Sequence, residues 1–178
     1  MKFKLTAIVL ITSIFSSQLY AQCKLDKKKD DYTNKVAINT KDITIGGIGP
    51  KFGSNKKPWD IDLSFRFKDS TISLILTHAS QGWASGINKF FLKLDNDLVI
   101  TRDSASGEGK YRGENYTYVY SFFTLTKDEL SALSKNKIVK CKIVFRYNPN
   151  FPVYDEEVKD KKSNEVKELA DCLLKELN

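Results

Sequence analysis

A strict alternation of apolar and polar residues over positions 61–68 constrains the fold of this chain more than any other feature. The apolar members are Ile61, Leu63, Phe65 and Phe67. A period of two places these side chains on one face of a β-strand, which is then the buried face. Asp69-Ser70 supplies a turn, and the apolar, β-branched run 71–79 follows it. The pattern therefore predicts a β-hairpin.

Strand patterns recur along the rest of the chain. They cover residues 36–40, 43–45, 90–94, 98–101, 116–125, 138–147 and 153–158. Segments 90–94 and 98–101 flank the turn residues Asp95-Asn96-Asp97 and predict a second hairpin. Segment 116–125 carries bulky side chains on both faces, which is typical of a central strand. The last two segments are expected to pair, and the glycine-containing stretches 46–58 and 104–115 are expected to be loops.

Two segments have helical patterns. Thr126 and Glu129 have the spacing of a capping box, which predicts a short helix between strands. Residues 163–177 place an apolar stripe on one face, with Ser163 as the expected N-cap. The members of the stripe include Val166, Ala170, Leu173 and Leu177. We expect this stripe to pack on a sheet rather than on a membrane or a partner.

These elements predict a mainly β fold. It is an antiparallel β-sandwich or a curled sheet of about seven to nine strands, with a short helix and a C-terminal amphipathic helix. No repeat or linker divides the chain, so residues 22–178 are expected to form a single domain. Residues 1–21 stand apart from it. They have the basic start, the apolar run and the small final residue, Ala21, of a secretory signal peptide.

The predicted location is therefore periplasmic or secreted. Gln22 separates the expected cleavage site from Cys23, whereas a lipoprotein cysteine directly follows the cut, so lipidation is the less favoured alternative. No later segment is long and apolar enough to span a bilayer. Loss of Lys2 and Lys4 lowers the formal charge from +7 to +5. The remaining lysines are dispersed among acids, so we expect no nucleic-acid partner.

Motifs for catalysis or for cofactors are scarce in this sequence. The chain has one histidine, which excludes the usual zinc sites with two or three histidines. We interpret His78 as a structural residue near the end of a strand, and we expect no metal, no cofactor and no catalytic residue. A small hydrolase acting on envelope polymers is the alternative. It would need a cleft that joins carboxylates such as Asp60, Asp62 or Glu108.

Aromatic side chains in or beside predicted loops are the most suggestive functional feature. Trp59, Trp83 and Tyr111 are neighbours of Gly, Pro or Ser residues, and such rings at one end of a sandwich can form a platform for a glycan or a protein. The competing interpretation is that the rings fill the end of the core. We therefore hypothesise a non-enzymatic binding protein of the envelope, with a purely structural accessory subunit as a further alternative.

Three cysteines allow one disulfide at most, in a compartment where disulfides persist. Cys141 alternates with apolar residues and is expected to be a core thiol. Cys172 lies away from the apolar stripe of the C-terminal helix, and Cys23 is near the mature N-terminus, where a tether is useful. We favour Cys23–Cys172. A Cys141–Cys172 pair and three unpaired thiols remain alternatives.

The order of these features resembles a group of small uncharacterised secreted proteins from Bacteroidota-type bacteria. The shared features are a signal peptide followed by Cys23, the segments 31–35, 118–125, 127–134 and 138–146, and a lysine-rich final helix with Cys172. The resemblance implies an envelope protein with a β-rich domain and a C-terminal helix. It implies no particular activity or site residue.

Overall fold

A computed structural model describes residues 23, 25–48, 59–80, 86–113, 116–146 and 153–178. These residues form eleven strands and two helices. In chain order they are β1 (Asp26–Lys29), β2 (Val36–Asn39), β3 (Ile43–Ile48), β4 (Trp59–Lys68), β5 (Thr71–Ser80), β6 (Ile87–Leu94), β7 (Val99–Arg102), β8 (Gly107–Arg112), β9 (Thr117–Leu125), α1 (Lys127–Lys135), β10 (Ile138–Phe145), β11 (Val153–Glu157) and α2 (Asp160–Glu176). The fold is mainly β, as the sequence predicts.

Seven strands form a curled antiparallel sheet, which we call the large sheet. Its order is β1-β2-β4-β5-β9-β8, and β3 pairs with β4 beside β2. The predicted hairpin is its β4–β5 pair, in register from Ile61 opposite His78 to Lys68 opposite Thr71. Asp69 and Ser70 both have positive φ, 49° and 63°, as a two-residue type I′ turn requires. Pairing of β9 with both β5 and β8 confirms that it is an interior strand.

The small sheet has the order β11-β10-β6-β7 and packs on the inner face of the large one. The predicted hairpins β6–β7 and β10–β11 are both present. Phe90 of the small sheet and Phe123 of the large sheet meet edge to face, with ring centroids 4.7 Å apart. Both side chains are fully buried, so the hydrophobic core lies between the two sheets.

Helix α2 packs against α1, β3, β4 and β10. Its buried residues include Val166, Ala170 and Leu173, so the predicted apolar stripe does face the sheets and α1. The expected N-cap is wrong. The helix begins at Asp160 after Lys159, and Ser163 lies inside it, only 1% exposed. The helix therefore starts three residues earlier than expected, and Ser163 is buried within its first turn.

Three segments contain more strand than the sequence predicts. Stretch 46–58 is not all loop, since β3 continues to Ile48, and a side chain at Gly46 would collide with the buried Tyr154. Stretch 104–115 contains β8, and the lysine-rich segment after Cys23 forms β1. The described residues thus hold eleven strands rather than seven to nine. The two additional strands, β1 and β8, have little apolar alternation of their own and form by pairing with a neighbouring strand.

A disulfide joins Cys23 to Cys172, with a Cα–Cα distance of 5.7 Å. It attaches the segment before β1 to the last turns of α2, and the Lys27–Glu176 ion pair (2.6 Å) adds a second link between them. A sulfur held in a disulfide cannot carry a lipid. Cys141 remains a buried thiol, and burial, together with the charge of Asp155, raises its pKa to about 12. The favoured pairing and the core position of Cys141 are therefore confirmed.

Replacement of both Cys23 and Cys172 by alanine should strongly destabilise the protein. The disulfide spans 149 residues, and the chain-entropy model assigns a loop of this size up to ~5 kcal/mol of unfolding free energy. Urea unfolding of the wild type and the double variant measures the loss. A reductant should lower the stability of the wild type and leave the double variant unchanged. Equal stability of the two proteins, or a cross-linked peptide containing Cys141, would contradict this pairing.

A polar cluster fastens α1 to the two sheets. Thr126 and Glu129 form the predicted capping box, each accepting a backbone N–H from the other. Arg102 of β7 pairs with the Glu129 carboxylate, and its Nε donates to the Thr124 carbonyl of β9 at 2.9 Å. Burial opposes ionisation of Glu129, but the hydrogen bonds from Arg102 and Thr126 outweigh it and hold the pKa of the carboxyl below its usual value.

This lowered pKa should make stability depend on acid pH. A carboxyl with a depressed folded-state pKa contributes stability above its unfolded pKa, near 4.5, and loses that contribution as the pH falls through the folded value. Glu129→Gln should therefore cost about 1 kcal/mol near neutral pH. The difference from wild type should shrink steadily below about pH 4.5. Urea unfolding at a series of pH values tests this, with the exposed Asp128→Asn as the matched control. A difference that stays constant with pH would contradict it.

Candidate functional site

Strands of the large sheet end together at the side where the expected aromatic residues lie. Ile48 pairs with Trp59, Ser80 with Thr117, and Thr117 with Arg112. We call this side the aromatic end of the sheet. The opposite side, where Lys68 pairs with Thr71 around the β4–β5 turn, is the hairpin end. Strands β6 and β10 also bring Ile87 and Phe145 to the aromatic end, since His78 contacts Phe145 there.

An exposed pair of tyrosines occupies the outer face at the aromatic end. Tyr111 of β8 lies directly opposite Tyr118 of β9, and their ring centroids are 6.4 Å apart with a tilt of 34°. Tyr111 is 62% exposed and Tyr118 is 37% exposed. Both side chains belong to paired strands, so they are held by the sheet. The arrangement presents aromatic surface to solvent on a rigid support, as a stacking platform requires.

The structure places two of the three expected binding residues. Tyr111 lies on a strand rather than in the loop expected from the sequence. Trp59 opens β4 at the same end, and its backbone pairs with Ile48. Strands β5 and β9 separate it from β8, a distance of roughly 14 Å between strand axes. Trp83 lies outside the described residues. Tyr118, which sequence reasoning treated only as a strand residue, joins Tyr111 because β8 pairs with β9.

Next to the tyrosine pair, one step further along β8 and β9, the outer face carries Gly109 and Tyr120. Tyr120 is half-buried opposite Gly109, and the nearest atoms that a side chain at Gly109 would meet belong to Tyr120 and Phe122, at 3.8 to 3.9 Å. The two rings therefore lie beside the glycines of β8, a packing that shields an edge strand. Burial raises the pKa of Tyr120, and the nearby charge of Asp42 raises it further, so its phenol stays neutral at physiological pH.

An ion pair supports β8 from the inner side. Glu108 of β8 lies 2.9 Å from the Arg146 guanidinium, just after β10, and thereby links the two sheets. Its carboxylate occupies the space above Gly86, whose carbonyl accepts the backbone N–H of Arg146 at 3.0 Å. No sequence motif around Glu108 or Arg146 predicts this ion pair. It follows from the topology, which places the start of β6 and the end of β10 under β8.

Glu108 lies apart from the other two carboxylates considered for a hydrolase. Asp62 lies on the outer face of β4, where its carboxylate accepts the Thr44 hydroxyl at 2.6 Å. Glu108 lies on the inner side of β8, and two strands intervene. Asp60 shares the outer face with Asp62 by strand alternation. A cleft joining Glu108 to the other two acids is therefore not formed by the described strands.

His78 occupies the expected structural position. It is 4% exposed in β5, on the inner face with Leu74 and Leu76, and its ring meets Phe145 edge to face at 5.0 Å between centroids. Across the described ranges, the structure contains no group of three His, Cys, Asp or Glu side chains arranged to hold a metal ion. Within the same ranges, neither helix has the length and apolar character needed to cross a bilayer.

Comparison of the chain with protein-family models, with curated proteins and with solved structures gave no match. Functional inference for this chain therefore depends on its own residues and geometry.

Gly86 and Gly109 provide a matched test of how the aromatic end is supported. A methyl group at Gly86 would collide with the Glu108 carboxylate, whereas one at Gly109 would make ordinary contacts. Gly86→Ala should displace Glu108 from Arg146 and lower the unfolding free energy by about 1 kcal/mol. Gly109→Ala should be neutral or stabilising by up to ~1 kcal/mol, because it restricts the unfolded chain. Urea unfolding measures both, and equal effects of the two substitutions would refute this account.

Proposed function

We propose that the protein is a secreted or periplasmic binding protein without enzymatic activity, which holds a glycan or an envelope protein at the aromatic end. The observation that carries the proposal is the exposed Tyr111–Tyr118 pair on adjacent strands. Aromatic side chains supply contact area at a low cost in conformational entropy, because two torsions fix each ring. Trp59 and Trp83 are proposed, with Tyr111, as further contacts for the same ligand.

The disulfide supports the proposed location. Cys23–Cys172 encloses nearly the whole described chain, and such a bond persists in the periplasm or outside the cell. The signal-peptide pattern in residues 1–21 and the resemblance to small secreted bacterial proteins support the same location.

Tyr111 is proposed to be the principal contact, because its ring has most of its surface open. Loss of a stacked ring removes about 0.5–1.5 kcal/mol beyond the buried area, so Tyr111→Ala should weaken binding at least about fivefold. The melting temperature of the Tyr111→Ala variant should change little, as is usual for substitutions at exposed positions. Tyr32 is the matched control. It is also an exposed tyrosine, at 97%, but it lies in the turn between β1 and β2, outside the aromatic end.

An array of neutral envelope glycans and a pull-down from envelope extract, both with tagged protein, test the proposal. A glycan or protein that binds the wild type and Tyr32→Ala, but binds Tyr111→Ala and Trp83→Ala more weakly, supports the proposed site. Binding that is equal in all four proteins places the ligand elsewhere. If Trp83→Ala lowers the melting temperature by several degrees and leaves binding untouched, that ring belongs to the core. No retained glycan or protein favours a purely structural subunit.

A further inference from the structure

A second open surface lies at the hairpin end of the large sheet. It is a groove of about 510 Å³ between the β1–β2 hairpin and the end of β4. Cationic side chains outnumber carboxylates along it by five to two. The cations are Lys28, Lys29, Lys35, Arg66 and Lys68, and the acids are Asp30 and Asp69. The groove is separate from the aromatic end and does not depend on the function proposed there.

Both carboxylates of the groove are engaged in local contacts. Asp30 accepts the backbone N–H groups of Tyr32 and Thr33, at 3.0 and 2.7 Å, and so closes the turn after β1. Asp69 forms an ion pair of 2.8 Å with Lys35. These contacts hold the pKa of each carboxyl below its usual value. Lys28 also lies 3.4 Å from Asp26, an exposed acid of β1 outside the groove. Lys29, Arg66 and Lys68 form no ion pair within the described ranges, so the acids neutralise only part of the positive charge in the groove.

One donor of the Arg66 guanidinium is buried without a partner among the described residues. Its Nε is shielded from solvent and has no hydrogen-bond acceptor in the part of the chain that the structure describes. No carboxylate of those residues lies within ion-pair distance of it either. Buried donors without a partner are rare, and each needs an explanation. A bound oxyanion that engaged the guanidinium would supply the missing acceptors, and planar guanidinium groups suit oxyanions well.

The strand register gathers further cations around Arg66. On the outer face, Lys28 of β1 lies opposite Ala37 of β2, and the same register continued by one residue places Lys68 of β4 beside Ala37. The small Ala37 side chain leaves the space between the two lysines open. Their backbones are about 10 Å apart, two strand spacings, so both ammonium groups can reach one ligand above Ala37. In the neighbouring row, Asn39 lies opposite Arg66 and adds an amide, and Asp26 of β1 lies on the other side of Asn39.

We propose that this groove binds a phosphate or sulfate group, with Arg66 and Lys68 as the principal contacts. The oxyanion would accept hydrogen bonds from the Arg66 guanidinium and from the Lys28 and Lys68 ammonium groups. A doubly charged oxyanion matches the excess positive charge of the groove. The group can belong to a small free anion or be carried by an acidic oligosaccharide, because the recognition chemistry is the same.

Isothermal titration of the purified protein, with its disulfide intact, tests the site using two probes. Inorganic pyrophosphate represents a free anion and a heparin-derived hexasaccharide represents a sulfated oligosaccharide. Arg66→Gln and Lys68→Gln should each weaken binding of at least one probe by about tenfold, the loss expected for a charge-assisted contact. Lys161→Gln, which removes an exposed lysine on α2, should stay within about twofold of wild type. Added salt should weaken binding in the wild type.

Pyrophosphate binding that depends on Arg66 identifies a site for small anions. Binding of the hexasaccharide alone, with the same dependence, identifies a sulfated sugar as the ligand class. Absence of saturable binding of either probe would overturn the proposal, as would equal weakening by Lys161→Gln, which would indicate nonspecific charge attraction. If Arg66→Gln lowers the melting temperature, Lys68→Gln decides the question, because Lys68 is exposed at the end of β4. Binding unchanged in Lys68→Gln would then refute the site.

Discussion

Strand β4 is the element on which the rest of the structure depends. It pairs with β5 along one edge and with β2 and β3 along the other, so its backbone hydrogen bonds reach in both directions. Its inner face contributes Ile61, Leu63 and Phe65, all fully buried, and burial of each such side chain is worth about 1.5–3 kcal/mol. Because one face must be buried, the register of β4 is fixed, and a slip by one residue would expose the whole apolar set. The positions of all surfaces on the large sheet follow from this register.

The open side of the two-sheet core is closed by α2, and the disulfide holds that closure in place. An antiparallel sheet with a long apolar face needs a covering layer, and the stripe of Val166, Ala170 and Leu173 provides it. Cys23–Cys172 and the Lys27–Glu176 ion pair attach β1, a short and exposed edge strand, to the end of that helix. With little apolar area of its own, β1 gains its stability from these links and from pairing with β2. The N-terminal edge of the sheet, and with it one wall of the basic groove, is therefore anchored covalently.

The sequence predicts the fold well wherever the signal is local. The β4–β5 hairpin is predictable because the alternation of apolar residues and the Asp69-Ser70 turn both indicate it. The α1 capping box is predictable because it depends on only four adjacent residues. Strand β8 cannot be predicted from the sequence pattern, because Gly107 and Gly109 have no side chains and Glu108 and Lys110 are charged. Its pairing is decided by the rings of Tyr120 and Phe122 on the neighbouring strand. The candidate sites share this limit, since Tyr118 contacts Tyr111 only after β8 has joined the sheet. Lys28 reaches the groove of Arg66 only because β1 pairs with β2 and β2 pairs with β4.

The two ends of the large sheet differ in chemistry, and distance keeps them independent. Strand β4 runs through ten residues from Trp59 at the aromatic end to Lys68 at the hairpin end, which corresponds to about 30 Å. That length is several times the screening length of about 8 Å at physiological salt, so charges of the groove have little influence on a ligand at the tyrosines. Residues this far apart without shared partners contribute additively to stability and to binding. A small ligand would therefore occupy one end without affecting the other, whereas an extended acidic polymer could contact the cations and the aromatic rings at once. In that case the length of the sheet would fix the distance between the acidic groups of the polymer that contact the cations and the groups that contact the aromatic rings.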